Sequence, residues 1–246
     1  MKLKALLSAG CFVASIAAGS AHAVPIIYFG EDLDPGNVVG PNASAAQGDF
    51  IGALGDVGTE DFESFSSGQQ PPLNLIFPGS NGDITASLSA TSGVEIESGA
   101  SGAGRFPTSG SNYLEMSSGS DFTIAFGTAI SAFGFLGTDI GDFVNGFLTI
   151  SLTDINDVVT DLEVMHTRGS AADSNVLFWG FTDTGNSYTS LSFSNPGGGD
   201  VFGFDDMTIG DRAQVDPDPQ PVPAPATLAL FGLGLAGLGW SRRKKA

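Results

Sequence analysis

The sequence predicts an all-β fold, a β-sandwich or jelly roll with one short helix, and three observations predict it. Short runs alternate in polarity: Phe122, Ile124 and Phe126, then Leu148, Ile150 and Leu152, then Leu191 and Phe193 stand two apart, the period of a half-buried strand. Clusters of Gly, Asn, Asp and Ser, the residues that serve turns, break these runs at short intervals. The chain also has 19 Phe against 3 Tyr and 2 Trp, and lacks the Ala, Leu, Glu and Lys excess of a helical bundle. With 35 Gly and 13 Pro in 246 residues, it stays below the roughly 25–30% of Gly plus Pro that marks low-complexity chains. One globular domain with a folded core is expected.

Residues 1–23 read as a secretory signal peptide. Lys2 and Lys4 supply the charged start, residues 5–18 the apolar stretch, and Ala21-His22-Ala23 the small-residue cleavage site, so the mature chain would begin at Val24. The partners implied are the Sec export machinery and signal peptidase. Ser8-Ala9-Gly10-Cys11 is loosely lipobox-like, but only a few apolar residues precede it and Ser8 stands where Leu is usual. Cleavage after Ala23 removes Cys11, the only cysteine, leaving packing alone to hold the mature protein in an oxidising compartment.

Residues 24–58 form an N-terminal segment. Its helix is expected over 43–54, where Ala46, Phe50, Ile51 and Leu54 share a face and Asn42 or Ser44 would cap the start. The β-sandwich is expected over 59–212, with strands near 60–65, 73–77, 84–90, 112–116, 122–126, 130–136, 148–152, 157–164, 176–182, 191–193 and 200–209. Phe202 and Phe204 share one parity while Met207 and Ile209 share the other, and this phase change places a β-bulge at Asp205-Asp206.

Residues 213–221 are a stiff linker, because the alternate prolines of Asp216-Pro217-Asp218-Pro219-Gln220-Pro221 favour extended polyproline geometry. The tail, 222–246, has three parts: Val222-Pro223-Ala224-Pro225, an apolar run over 226–240, and the basic cluster Arg242, Arg243, Lys244 and Lys245. The run is short for a bilayer, which needs roughly 17–25 residues. Its basic end would stay in the cytoplasm, and its small residues suit close approach of another helix.

Charge narrows the function. Between the two ends, Arg105, Arg168 and Arg212 face 27 acidic residues. Such a field repels phosphate backbones, which excludes nucleic-acid binding, and it favours solubility in salty surroundings.

Catalytic patterns are sparse. There is no G-x-S-x-G elbow, and beyond the signal His166 is the only histidine, read as a loop residue. Asp154-Ile155-Asn156-Asp157 begins like an EF-hand loop but has Val159 where glycine is needed and Met165 where glutamate is needed. The competing reading, a polysaccharide hydrolase using paired carboxylates, has too many acids to single out a pair. A non-catalytic chain is expected. For calcium, which takes six to eight oxygens, Glu63 with Asp205 and Asp206, or Asp139 with Asp142, are the candidate ligands. Asp in turns, bonding its own backbone, is the alternative. For a glycan, the candidate platforms are Trp179, Tyr113 and Tyr188, with core packing of Trp179 as the competing reading.

The order of proline motif, glycine-rich apolar run and terminal arginines resembles the PEP-CTERM sorting signal of Gram-negative bacteria, with Pro223-Ala224-Pro225 in place of the usual Pro-Glu-Pro. The resemblance implies processing by an exosortase, transient anchoring in the inner membrane, delivery to the cell surface or outside, and association with exopolysaccharide or biofilm matrix. A plain membrane anchor is the alternative. Tyr28-Phe29-Gly30-Glu31-Asp32-Leu33, Asp61-Phe62-Glu63-Ser64-Phe65, Ala132-Phe133-Gly134-Phe135, Gly137-Thr138-Asp139-Ile140-Gly141-Asp142 and 202–209 look like jelly-roll ectodomains of PEP-CTERM surface proteins. More distantly, the early Phe-Glu and late Asp-Asp are similar to galactose-binding-like and carbohydrate-binding jelly rolls, where such positions help hold a structural calcium.

Overall fold

Thirteen strands and two helices are built from the residues that the computed structural model describes: 24–101, 103–141, 146–167, 174–195 and 200–215. The signal peptide, Asp142, Arg168, most of the linker and the whole tail lie outside the described residues. In chain order the elements are β1 (Ile26–Leu33), α1 (Pro41–Gly52), β2 (Thr59–Glu60), β3 (Leu73–Phe77), β4 (Ile84–Ser89), β5 (Val94–Ser98), β6 (Asn112–Ser117), β7 (Thr123–Ile130), β8 (Ala132–Thr138), β9 (Leu148–Asp154), β10 (Val159–Val164), β11 (Asn175–Thr182), β12 (Tyr188–Ser194), β13 (Val201–Gly210) and α2 (Arg212–Val215). They make a sandwich of two antiparallel sheets. One runs β1-β11-β8-β13-β6-β5 with β2 beside β13, and the other runs β10-β9-β12-β7-β4-β3.

Alternation decides which face each strand buries. Leu73, Leu75 and Phe77 of β3 and Ile84, Ala86 and Leu88 of β4 point into the sandwich, while Asn74, Thr85 and Ser87 meet solvent. Between the sheets, Phe122, Phe133, Phe135, Phe193 and Phe204 form a ring cluster in which Phe135 stacks on Phe204 at 4.7 Å and Phe193 meets Phe204 edge-on at 5.8 Å. Such pairs contribute about 0.5–1.5 kcal/mol beyond the area they bury.

The first sheet is buried on both faces along β8, β11 and β13, so β8 and β11 read as nearly continuous apolar runs, while β13 is interrupted by Asp205 and Asp206. The second cover is α1, which sets Ala43, Ala46 and Phe50 against Leu136, Val176 and Phe178. The helix approaches closely because Gly134 has no side chain: a Cβ there would stand 2.9 Å from the Phe50 ring.

Several elements differ from their sequence expectation. The helix spans 41–52 instead of 43–54, begun by Pro41 after an extended Gly40, and neither Asn42 nor Ser44 caps it. The Asp32 carboxylate does so from β1, accepting from Asn42 N at 3.2 Å and Ala43 N at 2.8 Å. The strand expected over 60–65 stops at Glu60, because Phe62 turns into positive φ and its N–H donates to Glu60 Oε1 at 2.8 Å. β1 and β5 were not expected. β1 pairs along its full length with β11, so residues 26–33 form an edge strand of the first sheet. The bulge expected at Asp205-Asp206 is present: the β13/β8 register shifts between Asp205 and Thr208, and Asp206 takes φ +49°.

Candidate functional site

Three places gather the residues that carry chemistry. The first is the bulge. It turns both Asp205 and Asp206 toward loop 108–112, and each is nearly solvent-free. Asp205 Oδ2 accepts from Thr108 N at 2.7 Å, Thr108 Oγ1 at 2.9 Å and Ser109 N at 3.2 Å. Asp206 accepts from Ser109 Oγ at 2.8 Å and shares the single Thr108 hydroxyl proton with Asp205, its Oδ2 lying 2.8 Å from Thr108 Oγ1. Glu63 lies in the turn after β2, not on a strand, and takes Ser111 N and Asn112 N at 2.6 Å each. All three carboxylates accept from N–H and O–H donors of residues 108–112, Asp205 and Asp206 at the start of that segment and Glu63 at its end. Burial first, and the neighbouring Asp206 second, push the Asp205 carboxyl up to about 7.

The second place centres on Arg105. Its Nε donates to Glu115 Oε2 at 2.8 Å, and its Nη1 lies 3.4 Å from Asp139 Oδ2 and 3.3 Å from Val201 O. Asp139 also accepts from Ser174 N at 2.9 Å. Its negative charge is therefore met by a guanidinium, while Asp142, its expected companion, lies outside the described residues. Tyr113 is buried above this cluster, and desolvation, then Glu115, pushes its hydroxyl up to about 12. Tyr188 is also buried: its hydroxyl donates to Asp183 Oδ2 at 2.6 Å and its ring meets Phe181 edge-on. Among the described residues, no group of three or more His, Cys, Asp and Glu side chains is placed to hold a metal ion.

The third place is a cleft of about 280 Å³ on the side of the sandwich where the edge strands β1 and β10 face each other. The β1/β11 register sets Ile27 opposite Phe181 and Phe29 opposite Trp179, so Ile27 and Phe29 share the inward face with these rings. They form one wall. Glu163, Met165, His166 and Thr167, at and after the end of β10, form the other, and Trp179 completes the lining. Ile27, Phe29 and Met165 are 44%, 39% and 57% exposed, whereas Trp179 is 1% exposed. The edges are strapped together by Glu31, whose Oε2 accepts from Thr167 N at 2.8 Å and whose Oε1 accepts from Asn175 Nδ2 at 2.7 Å. His166 packs edge-on against Phe147 at 5.0 Å.

Of the two readings the sequence allows for Trp179, ligand platform and core packing, the residue takes the second. It is buried, and it packs on Phe135 and Phe181. Its Nε1 is buried with no hydrogen-bond partner among the described residues. A donor left in that state costs about 1–3 kcal/mol. Ile27, Phe29 and Met165 were not singled out from the sequence. The exposed apolar residues of β1 carry no strand alternation, and nothing local announces that residues so far apart share a wall.

The architecture defines a class, a two-sheet β-sandwich whose described acids are largely engaged in holding loops. The particular assignment comes from the far end of the chain. Residues 221–244 match the family model described as the PEP-CTERM protein-sorting motif, so the chain carries that sorting signal, the mark of a secreted or cell-surface protein. Among the described residues no helix is long and apolar enough to cross a membrane, and the apolar run over 226–240 lies outside them. No curated protein sequence matches the chain. Solved structures similar to it include the K2 cleaved adhesin domain of Lys-gingipain, at 16% identity over 62% of this chain and 98% of that one, TM-score 0.38. Another is the CBM22-1 xylan-binding domain from Paenibacillus barcinonensis Xyn10C, at 13% identity over 63% and 94%, TM-score 0.35. Likeness at this level carries no information about ligands.

Proposed function

We propose that this chain is exported, processed at both ends and delivered to the cell surface or the exopolysaccharide matrix, where its β-sandwich serves as a non-catalytic structural or binding module. The single observation that carries this reading is the sorting motif over 221–244, placed after a proline-rich spacer and the sandwich. A signal-like start over 1–23 supplies the matching entry into export. The non-catalytic part is supported by the use made of the acids: Glu63, Asp205 and Asp206 hold a loop, Asp32 caps a helix, and Asp139 pairs with Arg105. An exosortase would act near Val222-Pro223-Ala224-Pro225, with the basic cluster Arg242–Lys245 marking the cytoplasmic end.

The mass of the mature extracellular protein tests this directly. The expected value corresponds to a start at Val24 and loss of the tail from the proline motif onward. Recovery of the intact chain in the cytosol, both ends retained, would overturn the reading. Co-sedimentation of the exported protein with the producer's exopolysaccharide separates the two roles: retention marks a binding module, and its absence a structural one.

A further inference from the structure

A strand at the end of a sheet offers its outer row of N–H and C=O groups to any further strand, and natural folds guard such edges with charge, proline or short length. β5 carries Glu95 and Glu97, β10 carries Asp161 and Glu163, and the short β3 lies between Pro72 and Pro78. β1, the remaining edge, has neither charge nor proline over Ile26-Ile27-Tyr28-Phe29. The bond from Asp34 N to Ser174 O continues the β1/β11 ladder and shows that even-numbered residues bond β11. The N–H and C=O groups of Ile27, Phe29 and Glu31 therefore point away from the sheet. Among the described residues one of these groups is taken, the Glu31 carbonyl, which accepts from Asn42 Nδ2 at 3.1 Å. Pro25, next in the row, offers a carbonyl and no N–H.

This row complements itself. We propose that two copies of the chain join edge to edge through β1, extending the first sheet across a two-fold axis, with Ile27 of each copy opposite Phe29 of the other. In that register Ile27 N–H meets the Phe29 carbonyl, Phe29 N–H the Ile27 carbonyl and Glu31 N–H the Pro25 carbonyl, in both directions. The donor that Pro25 lacks falls opposite the carbonyl already bonded to Asn42. Moving the second copy by two residues either way sets Phe29 against Pro25 or Ile27 against Glu31, and leaves a carbonyl or an N–H without its partner. The wet side chains of Ile27 and Phe29, 44% and 39% exposed, cover each other on the face away from α1, since Tyr28 between them packs on Phe50. Charge agrees with this arrangement. The two Glu31 residues end up six residues, about 20 Å, apart along the pairing, beyond the screening length of about 8–10 Å. Asp32 faces residue 24, so a chain beginning at Val24 would bring its α-amine to that acid; this contact rests on the processing proposed above, and the hydrogen-bond match does not.

The test is a concentration series of the exported protein, followed by sedimentation velocity and amide hydrogen exchange. One strand pair is a small contact, so a reversible dimer with Kd between micromolar and millimolar is expected, and the amides of Ile27, Phe29 and Glu31 should gain protection as it forms. Both copies are acidic, and Asp161 and Glu163 of the two β10 edges come to the same side, so added salt should tighten the dimer. Ile27→Pro removes an N–H that bonds nothing within one copy, and should weaken the dimer roughly 10-fold or more without changing the circular dichroism. Leu33→Pro makes the same change at an outward position beyond the paired residues and should leave the dimer as it is. A cysteine pair reads the register without proline: in a mixture of Ile27→Cys and Phe29→Cys chains the two Cα atoms stand about 5.5 Å apart, within disulfide reach, and should cross-link faster than either chain alone. A protein still monomeric at about 1 mM, a dimer that survives Ile27→Pro, or cross-linking no faster in the mixture would each overturn the proposal. Protected β1 amides in a monomeric protein would overturn it as well, because another segment would then cover the edge.

Discussion

Loop 108–112 and the β1/β10 cleft are opposites in how they treat polar groups. At the loop, Glu63, Asp205 and Asp206 are saturated by N–H and O–H donors, and two of these carboxylates are almost wholly buried. At the cleft, a single indole donor lies buried among apolar residues with no acceptor, beside side chains that remain partly wet. The contrast teaches that dense acidic chemistry can be spent on architecture, while the donor left without a partner lies among apolar rings at the other edge of the fold.

The comparison breaks first at Asp205. Replacing Asp205 by Ala leaves the N–H groups of Thr108, Ser109 and Asp206 without their acceptor, and we expect a loss of about 2–3 kcal/mol in urea unfolding at neutral pH. A change below about 0.5 kcal/mol would mean that the loop is held by other means. The second test is pH. Because the Asp205 pKa is raised to about 7 in the folded state, above the ordinary carboxylate value of about 4, the folded protein binds a proton that the unfolded chain does not between these values. The contribution of Asp205 is therefore full below about pH 4 and is lost as pH rises through about 7, at no more than about 1.4 kcal/mol per pH unit. The difference in stability between the native protein and Asp205→Asn, followed from pH 4 to 8, should show this slope; a flat difference would place the Asp205 pKa near its ordinary value. The smallest effect is expected at the cleft wall. Phe29→Ser should cost no more than about 1 kcal/mol in the same urea assay, since the ring is 39% exposed and only partly covered by the core rings on its face. A larger loss would show that Phe29 closes the core and does not line a site.

Legibility in the sequence followed the range of the interactions. Strands with one wet face, such as β3, β4 and β9, showed their alternation directly, and the parity change around Asp205-Asp206 announced the bulge. β1 did not show, because both of its faces are used: Tyr28 packs with α1 while Ile27 and Phe29 face the cleft, so apolar residues occupy both parities. The start of α1 was misplaced because its cap comes from Asp32, on another element, rather than from a neighbouring Asn or Ser. Among 27 acids, burial is a property of the fold, and no local pattern marked Asp205 as an acid pushed up to about 7. The exposed-platform reading of Tyr113 and Tyr188 failed because their hydroxyls find carboxylates, Glu115 and Asp183, that allow the rings to go inside. The tail was legible because its information lies in a linear order of three parts.

One topological fact bears on timing. The last strand to be made, β13, lies inside the first sheet, between β8 on one side and β6 and β2 on the other. Until residues 201–210 arrive, the β1-β11-β8 portion and the β6-β5 portion have no ladder joining them. In a chain that emerges N-terminus first, the first sheet therefore cannot close before residues 201–210 arrive, although all six strands of the second sheet precede them.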